Sequence, residues 1–176
     1  MISNRQRAVR LPLRSLDRFF ARAMKKVRLP RDAASVCLVT DGQIKKWNAA
    51  YRGKNKPTDV LSFPAEEESR TSANGKNRRQ DAGATNGPHT SSRSKKKVFS
   101  STSFASSTSS ASYLGDIAIA PVVARQNARL YGRTLDQEMR ILILHGILHL
   151  MGYDHETDNG QMDRREQRLR RSLGIA

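Results

Sequence analysis

The segment from Met139 to Met151 is nearly all apolar, and only a few polar residues interrupt it, chiefly His145 and His149. A helix that is apolar on almost every side is stable only when it is buried among other elements. Gly152 follows the segment directly. Glycine adopts the left-handed conformation that ends helices without a Cβ penalty. We therefore predict a central, buried helix that ends at Met151.

The histidines of this helix have the spacing of metal ligands. His145 and His149 are four residues apart, so they share one face of a helix, and a turn at Gly152 brings His155 back toward them. A single histidine on such a helix is usually a satisfied core residue. Three buried imidazoles, however, are costly unless something ligates them. We predict one zinc ion on His145, His149 and His155, with a fourth position open to water or substrate.

The same spacing occurs in the metalloprotease motif His-Glu-x-x-His in its longer form with a third histidine. Here Gly146 occupies the position of the glutamate that serves the proteases as general base. Its absence argues against peptide hydrolysis by that mechanism. Two interpretations of Gly146 are open: it leaves room for a phosphodiester, or it lets the helix pack closely against a strand.

Charge and composition indicate the kind of partner. The chain has 176 residues, enough for one compact domain, and a net charge of +16. Such an excess favours nucleic acid, with a solubilising surface or an anionic membrane surface as alternatives. The sequence contains no apolar run long enough to span a membrane and no secretory signal at its start. The single Cys37 cannot form an internal disulfide, so we expect a cytoplasmic protein.

Apolar periodicity predicts strands and helices that alternate along the chain. Strands are expected at 5–11, at 34–40, before Pro64 and at 113–120. Helices are expected from Pro12, at 41–52, 121–131, 134–151 and 160–172. Asp41 is the expected cap of the second helix, and Thr134 the cap of the fourth, with Glu138 near the capping-box position. The predicted fold is α/β (α+β): a small, mixed sheet of about four strands packed with about five helices.

Residues 66–112 have a different composition, dominated by Ser, Thr, Asn, Gly and charged residues. A segment with so few apolar groups cannot offset the entropy of ordering. We predict a disordered insertion between two strands. His89 lies inside it and is not expected to be a ligand. The cluster from Arg93 to Lys97 either attracts RNA loosely or is a solvated run of charges.

Three motifs, in order along the chain, resemble those of the YbeY family of bacterial endoribonucleases and ribosomal RNA maturation factors. They extend from Tyr51 to Pro64, from Leu114 to Ile117 and from His145 to His155. The resemblance covers nearly the whole chain, and the insertion is its main departure. It implies a single YbeY-like metal-dependent hydrolase domain over residues 1–176 with a zincin-like metal site.

The resemblance also implies an activity. It is that of a zinc-dependent endoribonuclease specific for single-stranded RNA, which acts in small-subunit ribosomal RNA 3′-end maturation and ribosome quality control in the cytoplasm. RNA, ribosomal RNA and ribosomal particles would be its partners. The three family ligands match His145, His149 and His155. A functionally important arginine of the family matches Arg52, which joins the three histidines as a predicted catalytic residue.

Several roles and functions stay open at this level. Arg52 either grips a phosphate through its planar fork or is a surface arginine at a helix end. Thr58 and Asp59 either shape the wall of the site or only hold a turn. Asp154 either orients a ligand imidazole or is a solvated turn residue. The alternative functions are a non-catalytic zinc-containing ribosome assembly factor and a metal-dependent hydrolase of a small molecule or protein.

Overall fold

This computed structural model describes residues 1–65, 113–154 and 158–175, which form five α-helices, four strands and one short 3-10 helix at Arg31–Ala33. The strands are β1 (Ile2–Asn4), β2 (Ala34–Leu38), β3 (Val60–Pro64) and β4 (Gly115–Ile119). The helices are α1 (Leu13–Lys26), α2 (Asp41–Arg52), α3 (Pro121–Leu130), α4 (Leu135–Leu150) and α5 (Gln161–Leu173).

The strands form one mixed sheet in the order β1-β2-β4-β3. β1, β2 and β4 are parallel, and β3 runs antiparallel to β4 at the edge. In this register Ile117 of β4 lies between Val36 of β2 and Ser62 of β3. The predicted α/β class, with a four-stranded mixed sheet and five helices, is confirmed.

Alternation along the strands separates two apolar faces. One face packs in a single core with α1, α4 and α5, and its buried strand residues are Ala34, Val36, Leu38, Ile117 and Ile119. The other face, which includes Leu61 and Ala118, packs with residues of α2 such as Ile44 and Trp47. Cys37 is partly buried on this second face. The predicted histidine helix, α4, contacts α1, α3, α5, β3 and β4, so it occupies the centre of the larger core.

Both ends of α4 carry capping signals. Gly152 adopts the left-handed conformation with φ 87°, as predicted, one residue beyond the C-cap Met151. At the other end Thr134 forms a capping box, but with Gln137 and not with Glu138. The expected position was wrong by one residue, because a capping box joins the cap to the third residue of the helix. Glu138 is instead buried and forms an ion pair with Arg133 at 3.0 Å.

The predicted edge strand at 5–11 is wrong. The edge strand β1 lies earlier, at Ile2–Asn4. Of residues 5–11 only Arg5 extends its ladder, by donating its N–H to the carbonyl of Leu38 at 2.8 Å. Beyond it the buried side chain of Gln6 closes a turn. Gln6 accepts from the Val9 N–H at 2.9 Å and donates to the Val9 carbonyl at 3.0 Å. Val9 is therefore buried by a turn, although the residues around it form no strand.

The cap of α2 also differs from the expectation. Thr40 is the N-cap, and its hydroxyl accepts from the N–H of Gln43 at 3.3 Å. Asp41 is the first residue of the helix, where its charge still suits the positive end of the helix dipole. The predicted end of α2 at Arg52 is confirmed, with Gly53 left-handed at φ 68°.

The residues on either side of the segment 66–112 are paired with each other. The N–H of Ala65 donates to the carbonyl of Leu114 at 2.8 Å, so the β3–β4 pairing continues one step past the strands. The N–H of Leu114 in turn donates to the carbonyl of Ala33 at 2.6 Å. The predicted insertion itself, with His89 and the basic cluster at 93–97, lies outside the described residues.

Gly146 allows α4 to approach the sheet closely. A Cβ at this position would lie 2.6 Å from Cγ2 of Ile117, which is fully buried. The hydroxyl of Ser62 also donates to the Gly146 carbonyl at 3.3 Å. Of the two interpretations of Gly146, close helix–strand packing is the one that the contacts support. The missing side chain faces β4 and not a substrate.

Gly146→Ala is therefore expected to lower the free energy of unfolding by about 1–3 kcal/mol through overpacking against Ile117. Gly42→Ala is the matched control, because Gly42 also lies in a helix but has nothing within 4 Å of an added Cβ. There the helix propensity of alanine is worth up to about 1 kcal/mol in the stabilising direction. Urea unfolding of both variants measures the difference, and equal stability would contradict the close packing.

Replacing residues 66–112 by a short turn between Ala65 and Tyr113 is expected to preserve the fold, because Ala65 and Leu114 on either side of the segment already pair. If the segment behaves as the flexible chain that its composition predicts, shortening the loop raises the free energy of unfolding by about 2 kcal/mol. Thermal unfolding of the deletion variant checks this. A loss of stability would show that the segment contributes packing.

Candidate active site

His145 and His149 lie together on the exposed edge of α4. Their Nε2 atoms are 3.0 Å apart, and the ring planes are inclined at 73° with centroids 4.6 Å apart. Both side chains are half-buried, with the surrounding turns of the helix in the core. The structure thus brings two of the three predicted ligands to one point, with the same ring nitrogen of each turned toward it.

Glu166 of α5 holds the ring of His145. Its Oε2 lies 2.9 Å from Nδ1 of His145, and its other oxygen accepts a hydrogen bond from Arg170. Because an ionised carboxylate only accepts hydrogen bonds, Nδ1 carries a proton, and in the neutral ring the lone pair is then on Nε2, the atom nearest His149. The Arg170–Glu166–His145 chain therefore selects the tautomer in which Nε2 of His145 can ligate a metal.

The surroundings of Glu166 keep it ionised. Burial by itself would raise the pKa of this carboxyl, but the hydrogen bond from His145 and the positive charge of Arg170 outweigh it and hold the pKa below its usual value. A buried negative charge therefore lies directly behind His145. It favours a positive charge at the point where the two histidines meet.

Sequence analysis missed Glu166, although a signal was present. The inward positions of α5 are Met162, Glu166, Leu169 and Leu173, which all are buried. They recur at intervals of four, three and four residues, the pattern of a helix face that contacts a core. A carboxylate in such a stripe needs a partner, because an unpaired buried charge is costly. That requirement predicts a polar partner for Glu166, but it does not specify the element on which the partner lies.

Arg52 lies in a separate groove between the end of α2 and α3. The groove has a volume of about 340 Å³ and contains the positive charges of Arg52, Lys54 and Lys56. Its other lining residues are Asn48, Pro57, Thr58, Asp59, Val123 and Asn127. His145 and His149 are not among the described residues that line it. The loop of this groove leads directly into β3, whose Ser62 contacts the backbone of α4 between the two histidines.

Asp59 holds the turn at the end of this loop. Its carboxylate accepts from the Val60 N–H at 2.8 Å, the Thr58 hydroxyl at 3.1 Å and the Asn127 amide of α3 at 2.9 Å. The buried Asn48 fixes the other side of the loop by donating to the Lys56 carbonyl at 2.8 Å. These contacts support the turn-holding role for Asp59. Sequence analysis did not identify Asn127 as a partner of Asp59, or Asn48 as a residue that holds the same loop.

The third predicted ligand, His155, lies outside the described residues. Within residues 1–65, 113–154 and 158–175 no three His, Cys, Asp or Glu side chains are grouped so that they could hold a metal ion. Asp154 is partly buried directly before the gap. The metal set of three histidines and the two alternative roles of Asp154 therefore stay predictions.

Comparison with known proteins identifies the fold and then the family. A solved structure, the solution structure of TM1509 from Thermotoga maritima, matches with a TM-score of 0.51 at 24% identity, over 98% of this chain and 89% of that one. Such a likeness shows a shared α/β fold. A sequence model of the family "Endoribonuclease YbeY" matches residues 1–174.

Curated relatives agree with the family model. The endoribonuclease YbeY of Nautilia profundicola is 34% identical over 138 residues, which are 78% of this chain and 70% of the relative. That of Solibacter usitatus is 32% identical over 163 residues, which are 92% of this chain and 79% of the relative. The chain belongs to the endoribonuclease YbeY family. The predicted enzyme class, a hydrolytic endoribonuclease with RNA as its substrate, is thereby confirmed.

Within the described part of the chain, no helix is both long and apolar enough to cross a membrane.

Proposed function

We propose that the chain is a zinc-dependent endoribonuclease that cleaves single-stranded RNA, with His145, His149 and His155 as the metal ligands. The observation that carries this proposal is the 3.0 Å approach of the two Nε2 atoms, with Glu166 bound to Nδ1 of His145. A carboxylate behind a ligand histidine is the usual support of a protein metal site.

The geometry of the two histidines suits zinc. Zinc binds imidazole nitrogen at about 2.0–2.1 Å in tetrahedral sites, so two ligating nitrogens lie about 3.4 Å apart. The observed separation of 3.0 Å differs from this by a small rotation of either ring. With His155 as the third ligand, one position would stay open, which is the arrangement of catalytic zinc and not of structural zinc.

The chain's own residues then have defined tasks. Zinc bound there would supply a Lewis acid and lower the pKa of a bound water to about 7. Glu166 fixes the orientation and proton position of His145. Arg52 binds a phosphate of the substrate through two parallel N–H groups, with Lys54 and Lys56 beside it.

The chemical form of the product termini identifies the nucleophile, because attack by the RNA 2′-hydroxyl leaves a cyclic 2′,3′-phosphate.

The proposal extends to the cellular substrate. We infer that this enzyme acts in the cytoplasm on ribosomal RNA within ribosomal particles, in small-subunit 3′-end maturation and ribosome quality control. Family membership supports this inference. The alternative is a ribosome assembly factor in which zinc only stabilises the fold, and the paired histidines at a half-exposed edge favour the catalytic role over it.

The deciding experiment measures zinc content and RNA cleavage together. His149→Ala is expected to lose both the bound zinc and cleavage of single-stranded ribosomal RNA, because it removes one of three ligands. His89→Ala is the matched control, since it removes the only histidine outside the proposed site and should leave both unchanged. Wild-type protein that holds zinc yet cuts nothing, even with ribosomal particles supplied, would favour the assembly factor.

Glu166→Gln tests the support behind His145. Loss of the carboxylate is expected to weaken zinc affinity by about 10–100-fold, the usual effect of removing such a partner of a ligand histidine. Competition with a chelator measures the affinity, and NMR of the imidazole nitrogens measures the fraction of His145 protonated at Nδ1.

Glu138→Gln is the control for this change. Glu138 is also buried and also paired with an arginine, but its partner is Arg133 and no histidine. It should lose stability to a similar extent with zinc affinity unchanged. Equal zinc affinity in the Glu166 and Glu138 variants would contradict the role of Glu166.

A further inference from the structure

The outer face of α5 carries three arginines in one row. Arg164, Arg168 and Arg171 are exposed and follow one another at intervals of four and three residues. Together with Gln167 they line an open groove with a volume of about 410 Å³. A rise of 1.5 Å per residue separates neighbouring members of the row by about 4.5–6 Å along the helix axis. We name these three residues the α5 arginine face.

The charges of the α5 arginine face are not neutralised by carboxylates of the described residues. The hydrogen bonds formed by its guanidinium groups go to backbone carbonyls: Arg164 to Asn159 at 3.3 Å and Arg168 to Arg164 at 3.4 Å. Glu166, on the opposite side of the helix, is engaged by His145 and Arg170. Asp163 lies exposed in the first turn and offsets one charge at most.

The composition of this face favours nucleic acid over protein. Protein interfaces are built around aromatic and aliphatic anchors that fill pockets. The large exposed hydrophobic residues of the described chain are Met1, Tyr51, Tyr113, Leu130 and Tyr131, and none of them lies on α5. Arginine forks without apolar anchors fit the phosphate oxygens of a nucleic acid backbone. The net charge of +16 agrees with a polyanionic partner.

We propose that the α5 arginine face binds the phosphate backbone of the RNA strand outside the segment that occupies the histidine site. The inference rests on the proposed function for the placement of that segment. The same helix presents Glu166 to His145 on its inner side, so the two sites are separated by about the 10 Å diameter of one helix. An RNA strand that extends beyond the histidine site and passes around α5 reaches the arginines. An oligonucleotide that is only long enough to fill the histidine site does not.

The test compares two charge-matched triple variants of the zinc-loaded protein. One is R164Q/R168Q/R171Q. The other is R5Q/R7Q/R10Q, which removes three exposed arginines between β1 and α1. Binding to a short and to a long single-stranded RNA is measured at several salt concentrations. R164K/R168K/R171K keeps the charge and controls for the loss of side-chain packing.

For R164Q/R168Q/R171Q we expect the affinity for long RNA to fall about tenfold, and the slope of log affinity against log salt to fall by about 2, or about 0.7 per phosphate contact. Affinity for short RNA should be unchanged, and the lysine variant should keep most of the affinity for long RNA. The control triple should show a much smaller effect.

Equal losses in the two glutamine triples would overturn the proposal, because general charge would then explain them. Unchanged binding of long RNA by R164Q/R168Q/R171Q would overturn it as well. An acidic protein would then be the partner to test for this face. Wild-type protein that binds long RNA through this face but cleaves none would contradict the proposed function and still support the RNA-binding face.

Discussion

The approach of α4 to the sheet at Gly146 is the constraint on which the site depends. Since no side chain separates the helix backbone from Ile117, the rotation of α4 about its axis is fixed. Residues one before and three after Gly146 then lie on the same side of the helix, beside the face that meets the sheet. His145 and His149 therefore meet each other at that side, where α5 supplies Glu166. A packing requirement of the core thus determines the direction of the two histidines.

The parts of the fold and of the site that the sequence predicts are those set by local residue patterns. The length and position of α4, its end at Gly152 and the shared face of His145 and His149 follow from apolar patterning and helix geometry alone. The failures came where a side chain forms a contact that no periodicity records. Gln6 closes a turn on Val9, so an expected strand is absent. Glu166 meets His145 only because α5 packs on α4, a tertiary contact that the spacing of either helix cannot specify.

The two buried glutamates of the described chain differ in the groups that they hold in place. Glu138 accepts from Arg133 near the start of α4, where the pair is a local element of the helix end. Glu166 accepts from Arg170 with one oxygen and from His145 with the other. Breaking either pair leaves a buried charge, which is costly. Of the two, only Glu166 uses one of its oxygens to hold a partly exposed side chain, that of His145.

The inner and the outer side of α5 carry charges of opposite sign. Its inner stripe places a negative charge behind His145, while its outer side carries three arginines that form no ion pair with a carboxylate of the described residues. These opposite charges are one helix diameter apart, so each acts mainly on its own surroundings, and solvent screens the outer arginines from the inner carboxylate. The inner charge favours a cation between the histidines. The outer charges attract a polyanion to the same part of the molecule. A metal-dependent nuclease needs both features close together, a site for a cation and a surface that binds a polyanion.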